Sequence, residues 1–399
     1  MGIRDNKNFR ILSLDGGGTW ALLQARALMD LYPGRSGHRI LEDFDVVAGT
    51  SGGSVVMAGL IDDMRPEEIL ALFTTRSTRQ SLFCALPWYR KLLRLVGVGP
   101  QFATAGKLEC LTRCFPRDAA KALGQLDIRN RKDRPVQFLI TAYDYDRDRA
   151  VFFRSNADSA AANFPKDAAT MSAVHAAHAS STAPVEFFDK PADFGRKRYW
   201  DGACTGLNNP VMVAVAEAIA AGVKPEEIGV LSIGTASNFL PCSGRASSPG
   251  LLQQKAGTGL AVGIKKIGSS IVADPPDTDT FVAHLMLGGK VPLDPAQIGK
   301  LATPLVRLNP VVRPQPGDGE WKLPTGFSAR EFKRLASLDI AVIDDADVDL
   351  IMRFCNGWMA GHWINQPVRH GADLDARGAP NKGFCEIGHA TYEEARQAW

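Results

Sequence analysis

Between Asp45 and Gly59 the chain reads D-V-V-A-G-T-S-G-G-S-V-V-M-A-G, and few folds accommodate that order of residues. Val46, Val47 and Ala48 form a short apolar run with β-branched residues, as a buried strand does. The Gly49-Thr50-Ser51-Gly52-Gly53 turn follows, and from Ser54 to Met64 the residues are mostly apolar and helix-compatible. The expectation is strand, sharp turn, helix, with Ser51 at the apex of G-x-S-x-G, the pattern of a nucleophile elbow. Neighbours without Cβ atoms let the chain bend and let a substrate carbonyl approach the serine. The helix start aims N–H groups at the place where an oxyanion forms. An ordinary glycine–serine turn between a strand and a helix has the same letters, so the motif alone does not decide.

A second glycine-rich turn lies upstream. Phe9–Leu14, F-R-I-L-S-L, reads as a strand and runs into Asp15-Gly16-Gly17-Gly18-Thr19, then into a helix-like stretch from Trp20 to Leu31. Three glycines in that position leave backbone N–H groups uncovered, which makes an anion-holding loop. It serves either as a phosphate cradle or as an oxyanion hole. The phosphate reading is the first loop of an actin-like, ATP-dependent sugar kinase, which would use magnesium. Such a loop normally enters a β-hairpin, whereas A-L-L-Q-A-R-A-L-M-D-L has high helix propensity and no turn signal. There is no G-x-x-x-x-G-K-[ST] loop. The dinucleotide fingerprint fails because Leu22 follows Ala21 where a small residue is expected.

Composition bounds the partners. At 399 residues the chain can bury a large core. Its net charge of +3 is too small to argue for nucleic acid, though a local patch can still dock on an anionic surface. Seven scattered cysteines, with Cys110 and Cys114 lacking a second pair nearby, read as free thiols in a reducing compartment rather than a zinc site. The first residues, M-G-I-R-D-N-K-N-F-R, are polar and unlike a signal sequence. Asn6 stands where a myristoylation motif wants Ser or Thr. No apolar run approaches membrane-spanning length. The expectation is a cytoplasmic protein that meets lipid, if at all, from the surface. Arg76, Arg79, Arg90, Lys91 and Arg94, interleaved with Leu82, Phe83, Trp88 and Tyr89, suit headgroup contact. A solvated helix face is the preferred reading of the same residues.

Further along, Arg134 to Asp144 reads as a buried strand and Arg149 to Arg154 as its hairpin partner or the next strand. Thr170 to Ala179 is an Ala-rich helix carrying His175 and His178. Without a third ligand these read as polar or capping histidines. Pro184, in A-S-S-T-A-P, is expected to end that helix. Tyr199 and Trp200 close a short strand, and Asp201-Gly202 turns the chain. An aspartate there faces a cleft or, more commonly, bonds its own backbone. A helix begins near Val211, and Glu227 to Thr235 is another strand.

Taken in order, Asp15-Gly16-Gly17-Gly18, Gly49-Thr50-Ser51-Gly52-Gly53, A-S-S-T-A-P, Asp201-Gly202 with Asn208-Asn209-Pro210, and V-L-S-I-G-T-A resemble the patatin-like phospholipase family. The match covers roughly Phe9 to Ala236. Weaker echoes are L-V-R-L-N-P at Leu305–Pro310 and a closing helix segment over Leu338 to Asp349. The resemblance implies a three-layer α/β/α fold with a mostly parallel sheet. It implies a domain over residues 9–360, with a catalytic core 9–236, a lid or insert 237–303 and a closing strand and helix 304–360, followed by a tail 361–399. It further implies a serine lipid acyl hydrolase acting on phospholipid or lysophospholipid esters, with no metal or organic cofactor and with peripheral membrane contact. Ser51 is then the nucleophile and Asp201 its general base, expected within about 2.6–3.2 Å. The N–H groups of Gly16, Gly17 and Gly18, with that of Gly52, hold the oxyanion. No histidine lies near either motif. His284, His362, His370 and His389 are downstream, where one can still reach the site in space. The family usually carries Lys or Arg and then Gly after this loop, where Trp20 and Ala21 stand here, so a cation that would steady the loop or a headgroup is missing. A non-catalytic lipid-binding relative is the blander alternative, opposed by the intact Ser51 and Asp201.

Overall fold

The computed structural model describes residues 2–87, 99–156, 170–240, 275–291, 303–316, 321–366, 368 and 387–399. Its centre is an eight-stranded sheet. The strands are β1 (Phe9–Leu14), β2 (Val46–Gly49), β3 (Gln137–Asp144), β4 (Arg149–Arg154), β5 (Ala192–Phe194), β6 (Lys197–Asp201), β7 (Ile228–Ile233) and, after a short β8 (Ser237–Asn238) outside the sheet, β9 (Leu305–Leu308). The order is β5-β6-β3-β2-β1-β7-β9, with β4 paired to β3. β3, β2, β1, β7 and β9 run parallel, while β4, β5 and β6 join antiparallel.

Side-chain alternation sorts the core into two faces. Leu12, Leu14, Val47, Ile140, Leu231, Ile233, Val306 and Leu308 point into the larger cluster, with the helices Leu22–Leu31, Ser51–Ile61, Ala173–Ser180 and Asp345–Met359. Ile11, Val46, Ala48, Leu139, Val230 and Leu305 point into the other, under the helices Val211–Ala220 and Pro275–Met286. Helices on both faces make three layers, as parallel strands require.

Several boundaries move for identifiable reasons. The elbow helix starts at Ser51 itself. After Gly18 the chain makes a 3-10 turn through Ala21 and enters the helix Leu22–Leu31, not the hairpin that a sugar-kinase loop would enter. The Ala-rich helix stops at Ser180, ahead of Pro184, because side chains close it first: Ser181 Oγ donates to Ala177 O at 2.5 Å and Thr182 Oγ1 to His178 O at 2.6 Å. In the expected closing segment the helix begins at Asp345 and runs to Met359. The residues before it lie against the first glycine loop, where Thr19 N donates to Ile340 O at 2.8 Å.

Arg79 does not face a headgroup surface. It is buried, donating to Phe73 O at 3.1 Å and Ile343 O at 2.9 Å and pairing with Asp345, so it fastens two segments of the same domain. Arg90, Lys91, Arg94, Trp88 and Tyr89 lie outside the described residues, as does most of the interval where a lid was expected. The part of that interval that is described includes the helix Pro275–Met286, which packs on Val211–Ala220. Residues 387–399, in the expected tail, pack inward: Tyr392 rests edge-on against Trp358, and Trp399 stacks on Phe44. Among the described residues no helix is long and apolar enough to cross a membrane.

Candidate active site

Strand register brings the site together. β2 ends at Gly49, opposite Ile140 of β3, and β6 ends at Asp201, opposite Ala142 of the same strand. The elbow and the aspartate therefore meet two residues apart along β3, separated in sequence by 150 positions. Thr141 fills the step between them. Its hydroxyl bonds that of Thr50 at 2.7 Å, and it presses on Gly202 so closely that a Cβ there would lie 2.2 Å from Thr141 Oγ1. β1 contributes from the other side, because Leu14 is in register with Gly49, so the Asp15–Gly18 loop leaves the sheet beside the elbow. The site thus sits beyond the carboxyl ends of the parallel strands, where open α/β sheets bind ligands.

Ser51 adopts φ 50°, in the left-handed region that serine seldom occupies. Its surroundings hold it there. Its N–H donates to Ser180 Oγ at 2.8 Å, and its carbonyl accepts from Ser54 Oγ at 2.5 Å. The glycines of the motif are needed for close approach: a Cβ on Gly53 would lie 2.3 Å from Leu14 O, and one on Gly52 would lie 2.7 Å from Gly18 O. The Ser51 hydroxyl donates to Asp201 Oδ2 at 2.6 Å, directly and with no histidine between them. Asp201 Oδ1 accepts the Ala203 N–H at 2.9 Å, and the Asp201 N–H is held by Thr182 O at 2.9 Å. Ser51 and Asp201 are both buried. Burial pushes the Asp201 carboxyl up to about 6, against the opposing pull of Ser51, Ala203 and the Lys107 ammonium. A carboxylate in that range is ionised near neutrality yet far more basic than an exposed one.

The glycine loop divides its N–H groups unequally. Gly16 does not offer its own to a ligand, because it donates to Asn208 O at 2.9 Å. Among the described residues the N–H groups of Gly17, Gly18 and Gly52 have no protein acceptor. Asp15 anchors the loop through a buried bidentate pair, Arg307 Nη1 to Oδ1 at 2.8 Å and Nη2 to Oδ2 at 2.5 Å. Arg307 Nη1 also reaches Ser232 Oγ at 2.8 Å. Trp20, at the place of the family's usual cation, turns inward. Its Nε1 donates to Asp339 O at 3.1 Å, and its ring meets Phe354 edge-on at 6.2 Å. The indole steadies the loop by packing, in place of a charge.

Two of the histidines, His175 and His284, are engaged elsewhere. Ser172 Oγ bonds His175 Nδ1 at 2.7 Å, and His284 bonds Thr303 Oγ1 at 3.0 Å and Lys290 O at 3.1 Å. Burial pushes His178 down to about 2, so it is neutral. His370 lies outside the described residues.

The family model described as patatin-like phospholipase matches residues 12–215, which hold the glycine loop, the elbow and the aspartate. The chain belongs to the patatin-like phospholipase family. A relative from Pseudomonas aeruginosa (strain BWHPSA011 / Pa011), named cGAMP-activated phospholipase, is 29% identical over 242 residues, 60% of this chain and 66% of the relative. The chain thus spans just under two thirds of that protein's length. The crystal structure of VipD from Legionella pneumophila aligns with a TM-score of 0.38 at 12% identity, covering 93% of this chain and 70% of that one.

Two residues of the patatin-like site were missed by the motifs. Arg307 carried a signal: it is the one charge in the apolar run L-V-R-L, and a charge in a buried strand demands a partner. Lys107 carried a weaker one, since it shares a helix face with Cys110 and Leu111, both buried.

Proposed function

We propose that this protein is a serine lipid acyl hydrolase working through Ser51 and Asp201. The observation that carries the reading is the 2.6 Å bond from Ser51 Oγ to the buried Asp201 carboxylate, on a serine held at φ 50°. In the first half-reaction Ser51 Oγ attacks the acyl carbonyl as Asp201 takes its proton. The carbonyl oxygen becomes negative and is met by the Gly17, Gly18 and Gly52 N–H groups. Asp201 then protonates the departing alcohol, leaving the acyl chain on Ser51. In the second half-reaction water gives Asp201 a proton as its oxygen attacks the acyl carbon. Collapse releases a fatty acid and returns the proton to Ser51. The substrate class is a phospholipid or lysophospholipid ester met at a membrane surface.

The test is fatty-acid release from mixed phospholipid vesicles beside labelling by a fluorophosphonate, which reports an activated serine. The expected result is release together with modification mapped to Ser51. Modification of no residue, or of another serine, would overturn the reading. Because the Pseudomonas relative is named for activation by cGAMP, release is measured with and without cyclic GMP–AMP. A rate that rises with the dinucleotide extends the proposal to a regulated enzyme.

The oxyanion assignment has its own test. A Cβ on Gly17 would lie 2.2 Å from Thr235 Oγ1, which itself donates to Gly16 O at 2.5 Å, so the loop must shift. Gly17→Ala is expected to lower ester turnover by about 10²-fold, the scale of one lost oxyanion donor. Turnover equal to wild type would remove Gly17 from the hole.

A further inference from the structure

The helix Ala105–Cys114 sends Lys107 into the protein, where only 3% of the residue is exposed. A buried lysine is rare and is normally paired with a carboxylate. Lys107 makes no direct ion pair among the described residues. Its Nζ donates to Ser181 O at 2.5 Å and to Thr182 Oγ1 at 3.2 Å, and it stands 4.4 Å from the centre of the Phe188 ring. These partners are neutral, and they occupy the turn whose Thr182 carbonyl receives the Asp201 N–H. The cation and the dyad carboxylate therefore hang on one turn, with Oδ1 left to Ala203 and Oδ2 to Ser51.

We propose that Lys107 is a positioning residue for acyl transfer, its buried ammonium holding Asp201 in the ionised form that accepts the Ser51 proton. This rests on the reading of Ser51 and Asp201 as nucleophile and base. The arrangement suits that task better than a salt bridge. A cation bonded to Oδ2 would compete with Ser51 and make the carboxylate a poor base. One held a turn away by neutral acceptors supplies field without occupying either oxygen. The interaction is reciprocal: burial pushes Lys107 down to about 7 against the opposing pull of the Asp201 carboxylate. The other titratable groups facing the pair do not compete. His178 is neutral, and burial pushes the Cys204 thiol up to about 12.

The test separates charge from packing. Lys107→Met removes both charge and donor, Lys107→Gln keeps a donor without the charge, and Lys107→Arg keeps the charge. The rate of fluorophosphonate labelling at Ser51 is followed against pH, beside a 13C titration of the Asp201 carboxyl assigned with Asp201→Asn. Losing the cation raises the Asp201 pKa, so the acid limb should move to higher pH by about one unit in the Gln and Met variants. On that limb labelling is about tenfold slower than wild type. The Arg variant should keep the wild-type limb. A Gln variant whose limb and 13C midpoint match wild type, with only a lower plateau, would overturn the proposal and leave Lys107 a packing residue. Should wild-type Ser51 resist labelling, the acyl-transfer reading fails. The 13C midpoint still decides: a rise in the Gln variant upholds the coupling, and no change rejects it.

Discussion

Ser51→Ala and Asp201→Asn are each expected to reduce acyl-ester turnover by about 10⁴-fold, with the double variant scarcely worse than either alone. The alanine removes the atom that bonds the acyl group. The asparagine keeps the shape of the site and reverses its chemistry. Ala203 N–H requires an acceptor at Oδ1, so the amide turns its NH₂ toward Ser51, and a donor faces a donor. Nothing is left to take the serine proton. Both side chains are small and buried among groups that stay in place, so folding should survive; far-UV circular dichroism and a melting curve check that. Fatty-acid release persisting in Ser51→Ala would remove the nucleophile. Persistence in Asp201→Asn alone would transfer the base role to another group.

The second large effect concerns stability. Arg307→Met leaves Asp15 in the core with its two oxygens stripped of their guanidinium partners. Breaking a buried pair from one side destabilises by roughly 3–5 kcal/mol, far more than the pair is worth against an apolar replacement. The loss should appear as a lower denaturant midpoint and, because Asp15 begins the glycine loop, as weak labelling of Ser51. Replacing both partners, Asp15→Leu with Arg307→Met, should recover a good part of the midpoint without recovering the labelling. A single variant within about 1 kcal/mol of wild type would show the pair to be dispensable, the size seen for exposed pairs.

Sequence revealed the parts of this site that are local. Strand, turn and helix around Ser51 follow from a few adjacent residues, and so does the exposed backbone of Gly17 and Gly18. Asp201 was placed correctly at a strand end beside glycine, but that place alone favoured a turn aspartate, and only the family resemblance paired it with Ser51. What stayed hidden depends on register and on partners remote in the chain. Gly16 looked equivalent to its neighbours, and only the approach of Asn208 O distinguishes it. Trp20 read as a missing cation, whereas its position against Asp339 and Phe354 makes it a packing substitute. Arg79 read as part of a basic surface because its carbonyl partners, Phe73 and Ile343, are not encoded by any spacing.

The bond between Asp15 and Arg307 spans 292 positions, and that distance orders events during synthesis. A ribosome delivers the elbow, the glycine loop and Asp201 long before β9. Until β9 joins the edge of the sheet beside β7, the loop beginning at Asp15 has no counter-ion. A growing chain therefore carries the strained turn at Ser51 well before the glycine loop beside it has its buried anchor.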